Sequence, residues 1–406
     1  MLRNCGKLFL PNKKTTKSEQ NIYTTPGLKT WIKEVDQHMP HLSQAQIVLL
    51  ALWSFGMVLA RSCGQSSVTQ MIASLTGENP DNVRQRLREW CWDQKDKAGK
   101  KRTEVEVTSC FAPLLRWILQ DWEATEKSIA LAMDATTLGE RYVVLAISVV
   151  YRSCAIPIAW KVFAVDQQKG WKAEWQRLFA LFAGVIPADW TVLVLADRGL
   201  YADWLFRAIT ALHWHPFLRI NANGKYRAEG SSQFMPLSSL AGTIGCQWSG
   251  GVTCFKTHPL HATLLVNWAE GYTDPWLILT DLQPHQAKIA WYRLRAWIEC
   301  GFKHTKRAGW QWQNTRMTDP HRAERHWLVM AVATLWVVRV GGEVDANLPS
   351  SSLLGSLPAP VIHTSQRSRP RLLSCFHLGL FEILAALINR TSIPLGSFHV
   401  DQDYFN

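Results

Sequence analysis

The sequence predicts an α/β fold in which helices flank a mixed sheet, and the pattern of residues 129–220 is the main reason. Short apolar runs rich in β-branched residues alternate there with stretches of helical periodicity, in the order β-β-β-α-β-α-β. Such an order is typical of a mixed sheet with helices on its faces. The length of 406 residues is enough for two or three domains, and the apolar fraction of 47% is ordinary for a chain that buries real cores.

Residues 1–42 are predicted to be a basic arm with little fixed structure. They are mostly polar and basic, and Pro26 and Pro40 interrupt any regular element. The first 17 residues lack the apolar core of a signal peptide, so we expect no secretory signal there.

Residues 43–102 are predicted to form a helical DNA-binding module followed by a linker. Ser43 is a plausible N-cap for an apolar helix that reaches residue 63, and shorter helices are expected at 67–75 and 81–92. Short helices joined by tight turns resemble small DNA-binding modules. The charged, glycine-containing residues 94–102 are the expected linker.

The third of these helices is basic, because it contains Arg84, Arg86 and Arg88. We expect these side chains to contact DNA, since clustered arginines bind phosphates and base edges. The alternative is a solvated helix face without a ligand.

Two aspartates follow apolar strands in residues 103–220, which are predicted to hold most of the sheet. Asp134 ends the run 129–133, and Asp197 ends the run 191–196. Either aspartate alone is more often a cap or turn residue, but together they suggest a site, because a buried carboxylate needs a partner or a metal. The other predicted elements of this region are the strands 142–152, 155–164 and 217–220 and the helices 171–184 and 202–213.

Residues 221–283 differ in character and predict a β-rich insertion. Clusters of Gly, Ser and Thr separate short apolar runs, and the expected strands are 246–248, 252–256, 262–269 and 276–281. Helices are predicted at 285–307 and 322–340, within residues 284–342. Residues 343–406 are a tail rich in Ser, Pro and Leu, with one helix expected at 376–389.

Charge and cysteine content limit the class of partner and the compartment. The net charge of +12 favours a polyanionic partner, nucleic acid before an acidic membrane, although a protein can also be basic for no such reason. The nine cysteines are scattered without a Cys-x-x-Cys pair, which argues against a disulfide framework or a zinc module and favours the cytoplasm. The longest apolar runs, 47–60 and 327–338, are shorter than a membrane span of roughly 20 residues, so we expect buried helices and no membrane partner.

The predicted helix 285–307 places several polar groups on one face. The residues at spacings of 3, 4, 3 and 4 are Tyr292, Arg295, Glu299, Phe302 and Lys306. A carboxylate, a guanidinium, a phenol and an amine on one face suit a phosphate or metal site. The alternative is an amphipathic helix with an ordinary i,i+4 salt bridge between Arg295 and Glu299.

Four residues on this face carry a resemblance to a known family. They are Tyr292, Arg295, Glu299 and Lys306, and their spacing, Y-x2-R-x3-E-x6-K, is similar to the signature of the DDE transposases of the insertion-sequence-4 family. Residues 276–280 and 316–325 also resemble that family, as do Asp134 and the Asp197-Arg198-Gly199 turn. The likeness covers residues 128–340 and does not reach past residue 345.

The resemblance implies an RNase H-like catalytic core, formed by residues 103–220 and 284–342, with the β-rich insertion before the last carboxylate. Asp134, Asp197 and Glu299 would then be the catalytic residues and metal ligands. Three carboxylates can hold two divalent metal ions, Mg²⁺ or Mn²⁺, which prefer oxygen ligands.

The same resemblance implies roles for residues around the carboxylates. Tyr292, Arg295 and Lys306 would hold DNA phosphates, and Trp276 would stack on an extruded base. The alternative for Trp276 is a packed Trp at a strand edge. The expected activity is cut-and-paste transposition through a hairpin intermediate.

The expected partner is double-stranded DNA, both the terminal inverted repeats of the element and the target. A homodimer is expected in the synaptic complex, and the nucleoid in the cytoplasm is the expected location. The alternatives are a catalytically silent DNA-binding protein and a structure-selective nuclease on the same core.

Overall fold

A mixed α/β architecture, with a large sheet flanked by helices, organises the computed structural model of this chain. The structure describes residues 25–97, 103–124, 127–167, 170–347 and 373–400. The remainder of the predicted basic arm (1–24), of the linker (98–102) and of the tail (348–372 and 401–406) lies outside the described residues.

Ten strands of the described residues form one sheet, in the spatial order β4-β3-β2-β5-β6-β11-β10-β9-β7-β8, and β1 pairs with β12 in a separate two-stranded sheet. The strands are β1 (Trp122–Ala124), β2 (Ser128–Leu138), β3 (Tyr142–Tyr151), β4 (Cys154–Ala164), β5 (Thr191–Ala196), β6 (His215–Arg219), β7 (Lys225–Ala228), β8 (Met235–Pro236), β9 (Gln247–Cys254), β10 (Leu260–Asn267), β11 (Trp276–Thr280) and β12 (Phe398–Val400).

Strands that are consecutive in the chain pair with one another at one end of the sheet. The strands β2, β3 and β4 are antiparallel neighbours joined by tight turns, and β5 and β6 add to β2 in parallel after helical crossovers. Every residue of β3 is buried, as expected for a strand covered on both faces. The strands predicted for the insertion do not form a sheet of their own, because β11 pairs with β6 and extends the same sheet.

Ten α-helices surround the sheet in the described residues. They are α1 (Pro26–His38), α2 (Gln44–Ala60), α3 (Gln65–Thr76), α4 (Pro80–Cys91), α5 (Phe111–Gln120), α6 (Trp171–Ala180), α7 (Asp203–Thr210), α8 (Trp297–Thr305), α9 (Pro320–Asn347) and α10 (Cys375–Ile388). Ser43 caps α2 as predicted, in a capping box with Gln46. The central helix α9 packs against β4, α2 and α10.

The first described helix corrects the expectation of little fixed structure before residue 40. Trp31 of α1 is fully buried and stacks on Trp336 of α9 with 4.2 Å between ring centroids. The reason is apolar spacing: Leu28, Trp31, Ile32 and Val35 follow the i, i+3, i+4, i+7 pattern of a helix with one buried face.

The predicted helix 285–307 is also corrected, because the structure divides it. A 3₁₀ helix, Ile289–Ala296, precedes α8, and the two join at Trp297. Ile289, Trp291 and Tyr292 have modest helix propensity, and the Tyr292 hydroxyl donates a hydrogen bond to the carbonyl of Ala196 on the sheet. The backbone conformation of residues 289–296 is therefore determined by contacts with the sheet and not by the helical spacing of the sequence.

In the described part of the chain, α9 is the one single helix that is long and apolar enough to cross a membrane, and 89% of its most apolar window is buried inside the protein. The helices α2 and α3 meet the same test only as a pair bent by 99°. A core helix passes this test, and protein covers the apolar surface of α9.

Candidate active site

Asp134 and Asp197 lie side by side where two parallel strands stop pairing. Met133 of β2 is opposite Ala196 of β5, the last pair of that ladder, and each aspartate is the next residue along its chain. The prediction that Asp134 lies at the end of its strand is wrong, because β2 continues to Leu138 against β3. Asp134 is therefore accessible because the neighbouring strand β5 ends at Ala196.

The Asp134 carboxylate lies in a mostly buried position. Its side chain is 20% exposed, and its Oδ1 accepts a hydrogen bond from the Ala135 amide at 2.8 Å. Burial raises the pKa of Asp134, and the neighbouring Arg295 guanidinium opposes that rise. The protein thus uses a nearby cation to help keep this carboxyl ionised.

Arg295 lies at the centre of the three predicted carboxylates. Its Nη2 is 2.7 Å from Asp134 Oδ2 and 3.8 Å from Asp197 Oδ2, and its Nη1 is 2.5 Å from Glu299 Oε1. Burial alone would lower the pKa of Arg295, but the negative charges of Asp134 and Asp197 outweigh that effect and raise it. One guanidinium therefore connects side chains from β2, from the end of β5 and from α8.

Glu299 is held at the site by the packing of α8 against β4 and β2. At Gly301, a Cβ atom would lie 2.7 Å from the Cβ of Ala155 on β4, so glycine allows the helix to approach the sheet closely. The Glu299 side chain is 53% exposed, in contrast to Asp134. The cluster consequently has one open side, formed by Glu299.

Two further signature residues contact the strands that carry the aspartates. The buried Tyr292 hydroxyl lies 3.4 Å from Asp197 Oδ1, and burial raises the pKa of this phenol. Lys306 Nζ lies 2.8 Å from Thr136 Oγ1 on β2, two residues beyond Asp134, and burial lowers the pKa of Lys306. The signature residues thus lie around the two aspartates even though the backbone is not one continuous α-helix.

Trp276 lies behind Tyr292 at the start of β11. Its ring makes edge contacts with Tyr272 and Tyr292, with 5.2 Å between centroids in each case. It is half-buried and lines a small pocket with Asn267, Ala269, Tyr272 and Arg293. The ring is therefore beside the site, and a packing role remains open to it.

The arginines predicted to bind DNA lie on α4. Arg84 pairs with Asp81 at 3.1 Å, and Arg86 pairs with Glu78 at 2.6 Å, whereas Arg88 is exposed. Within the described ranges, no hydrogen bond or ion pair joins these arginines to the three carboxylates.

Arg219 is a site residue that the sequence analysis missed. It is the last residue of β6, its Nη1 is 3.8 Å from Asp197 Oδ1, and its Nη2 donates to the Pro275 carbonyl at 3.2 Å. The sequence does contain a signal, because β6 runs parallel to β5 and their carboxyl ends share one edge of the sheet. Only the strand order reveals that these two ends are neighbours.

The donor chemistry of the cluster suits a hard divalent cation, since its three acidic side chains offer only oxygen ligands. Their ligand atoms do not all lie within 4.8 Å of one another, because the Arg295 guanidinium is between them. Among the described residues, the group that does meet this distance is Glu34, His38 and Asp121, on α1 and just after α5.

Comparison with known proteins identifies part of the chain. Residues 175–336 match a family model described as the transposase DDE domain, which spans Asp197 and Glu299 but not Asp134. No curated protein matches the chain. One solved structure, described as a piggyBac transposase synaptic complex with hairpin DNA, is 12% identical over 86% of each chain, with a TM-score of 0.35.

Proposed function

We propose that this chain, whose residues 175–336 match the model of a transposase DDE domain, is a DDE transposase that excises and inserts a mobile element by cut-and-paste. The observation that supports this most is the convergence of Asp134, Asp197 and Glu299 on one guanidinium. Three carboxylates from separate elements meet at the edge of the sheet, on the side left open by Glu299.

The proposed core is RNase H-like and of the insertion-sequence-4 type. Three antiparallel strands, β4-β3-β2, followed by the parallel strands β5 and β6, support an RNase H-like assignment. The signature residues around the aspartates support the narrower family. The strands β7 to β11 would correspond to the insertion before the last carboxylate.

A transposase of the DDE class depends on divalent metal, and we assign the ligands to Asp134, Asp197 and Glu299. Two Mg²⁺ or Mn²⁺ ions would stabilise charge on the attacking and leaving oxygens of a phosphodiester. The chain's own residues would do the rest: Lys306 and Arg219 present cations to phosphates on either side of the aspartates. Tyr292 would hold Asp197 in place from its buried side.

The proposed partners are the terminal inverted repeats of the element and a target duplex. Arg84, Arg86 and Arg88 would bind the element ends, and the net charge of +12 supports a polyanionic partner. Two copies of the chain would act on the two ends in a synaptic complex. The nucleoid is the proposed location.

The decisive experiment uses the purified full-length chain and end-labelled DNA from the two flanks of its coding region. With Mg²⁺, we expect nicks at the element ends, hairpin products and, with a target plasmid, joined products. Binding without cutting would indicate a silent DNA-binding protein, and cutting without joining would indicate a nuclease; either result contradicts the proposal. Asp134→Asn is the matched control for contaminating nucleases.

A further inference from the structure

The position of Arg295 raises a question about how the carboxylates become available to a metal. Its guanidinium contacts Asp134 Oδ2 at 2.7 Å and Glu299 Oε1 at 2.5 Å. A divalent cation held by these side chains needs oxygens of the same carboxylates. Two cations cannot share such a small volume without strong repulsion.

The contacts of Arg295 are incomplete, unlike those of a purely structural arginine. Its Nε is buried and has no hydrogen-bond partner among the described residues, and its contact with Asp197 is long, at 3.8 Å. The Glu299 arm of the cluster is 53% exposed. A guanidinium with an unsatisfied donor and a solvent-facing partner loses less when it leaves than a fully bonded one.

The backbone that carries Arg295 differs from the backbone that carries Glu299. Arg295 is the penultimate residue of the 3₁₀ helix, which gives way to α8 at Trp297. The hydrogen-bond geometry of a 3₁₀ helix is poorer than that of an α-helix, so the backbone that carries Arg295 is held less firmly than that of α8. Glu299, in contrast, lies within α8, which Gly301 holds against β4.

We propose that Arg295 competes with divalent metal for Asp134 and Glu299, so that metal binding releases its guanidinium to a DNA phosphate. This inference rests on the proposed metal site. It makes metal binding and DNA binding mutually reinforcing, because a phosphate that accepts Arg295 frees the carboxylates, and the coupling must be the same in both directions.

The test measures Mn²⁺ binding to the full-length protein by electron paramagnetic resonance, without DNA. Arg295→Gln should bind Mn²⁺ about tenfold more tightly than the wild type, a change of about 1.4 kcal/mol. Arg198→Gln is the matched control, because it removes a cation next to Asp197 that pairs with Asp274. We expect its Mn²⁺ affinity to stay within about twofold of the wild type.

A second arm of the test adds duplex DNA of the element end. DNA should tighten Mn²⁺ binding by the wild type but should have little effect on Arg295→Gln, which has no guanidinium to release. Equal or weaker Mn²⁺ binding by Arg295→Gln overturns the competition. Where circular dichroism shows that this variant is unfolded, Arg295→Lys decides in the same way, because one ammonium group cannot replace the bidentate guanidinium.

The proposed metal site is tested separately by Asp134→Asn and Glu299→Gln. If Mn²⁺ binding is lost in these variants and unchanged in Arg295→Gln, only the competition is wrong. If both carboxylate variants bind Mn²⁺ like the wild type, the metal site itself is wrong, and the inference fails with it.

Discussion

Two arginines of this protein, Arg339 and Arg295, are ion-paired with carboxylates. They differ in how many of their guanidinium nitrogens have a hydrogen-bond partner. Arg339 of α9 is 2% exposed, ion-paired with Asp121 and with Glu34 at 2.7 Å, and its Nε donates to the Leu395 carbonyl at 2.6 Å. Its guanidinium also lies 5.8 Å from the centre of the Trp117 ring. Arg295 is 15% exposed, and in the part of the chain that the structure describes its Nε has no hydrogen-bond partner.

Closely spaced ligand atoms do not by themselves identify a functional cluster. Glu34, His38 and Asp121 meet the distances of a metal site, yet Arg339 compensates their charge and ties α1 to α9. We call this group around Arg339 the closed cluster. The open cluster is formed by Asp134, Asp197 and Glu299 around Arg295, whose carboxylates are farther apart and open to solvent on one side. Completeness of bonding, and not proximity, separates a structural cluster from a site that must exchange ligands.

The largest expected effect is on catalysis at the open cluster. Asp134→Asn, Asp197→Asn and Glu299→Gln each keep the side-chain shape but remove a charge that the proposed metal ions need. We expect each to reduce cleavage of end DNA by at least about a thousandfold, because metal ligation contributes several kcal/mol to the transition state. Binding to element ends should stay nearly unchanged.

The measurement is Mg²⁺-dependent nicking of labelled end DNA, with binding followed by gel shift. Glu34→Gln is the comparison from the closed cluster, and its nicking rate should match that of the wild type whenever the variant is folded. Substantial nicking by one of the three carboxylate variants would remove that residue from the proposed ligands.

The second prediction concerns the stability of the closed cluster. Arg339→Met leaves Glu34 and Asp121 without a counter-charge, so it should lower the free energy of unfolding by about 3 kcal/mol, as for other broken buried pairs. Arg295→Met should have a smaller effect, since Glu299 is largely solvated. Chemical denaturation of both variants and the wild type tests this, and a larger loss for Arg295→Met would reverse the comparison.

The open cluster could be predicted from the sequence because its signals are local. Apolar runs before Asp134 and Asp197 predicted two strands, and the resemblance to the insertion-sequence-4 transposases placed Arg295 and Glu299 at the same site. The continuation of β2 past Asp134 was not predicted, because residues 135–138 form a strand only through pairing with β3. Arg219 was missed for the same reason, since its contact with Asp197 depends on the order of strands.

The closed cluster could not be predicted, because its members are far apart in the chain. Arg339 contacts Glu34, Asp121 and Leu395, and nothing in their local sequence connects them. The helix that carries Glu34 did have a readable signal, the apolar spacing from Leu28 to Val35, but the two prolines at 26 and 40 obscured it. Proline at the first turn of a helix is favourable, so Pro26 indicates where α1 begins.

The third prediction extends the comparison to Trp276, which lies beside the open cluster. Trp276→Ala should still nick the first strand, because the carboxylates are untouched, but hairpin formation should fall about tenfold. Stacking on an extruded base is worth about 1–3 kcal/mol, and alanine loses it. A denaturing gel of nicked end DNA measures the hairpin product.

Two controls separate base stacking from packing at Trp276. Trp276→Phe keeps a ring that can stack and should retain most of the hairpin yield. An abasic site at the extruded position should restore part of the loss in Trp276→Ala, since no base then has to leave the stack. Equal hairpin yields from the wild type and Trp276→Ala would assign the ring to packing against Tyr272 and Tyr292.

The last prediction concerns the ion-paired arginines of α4, for which we expect a small effect. If these arginines exchange a carboxylate for a DNA phosphate, they behave like Arg295. If they do not, they are structural, like Arg339. Changing Arg84, Arg86 and Arg88 together to Ala should weaken binding to element ends by about tenfold at low salt. The slope of log affinity against log salt should fall by roughly 0.9 for each phosphate contact that is lost.

Asp81→Asn provides a second variant for this test, because Asp81 is largely exposed and pairs with Arg84 at 3.1 Å. Freeing Arg84 should strengthen DNA binding slightly, whereas unchanged affinity in both variants at several salt concentrations would make these ion pairs structural, like those of Arg339.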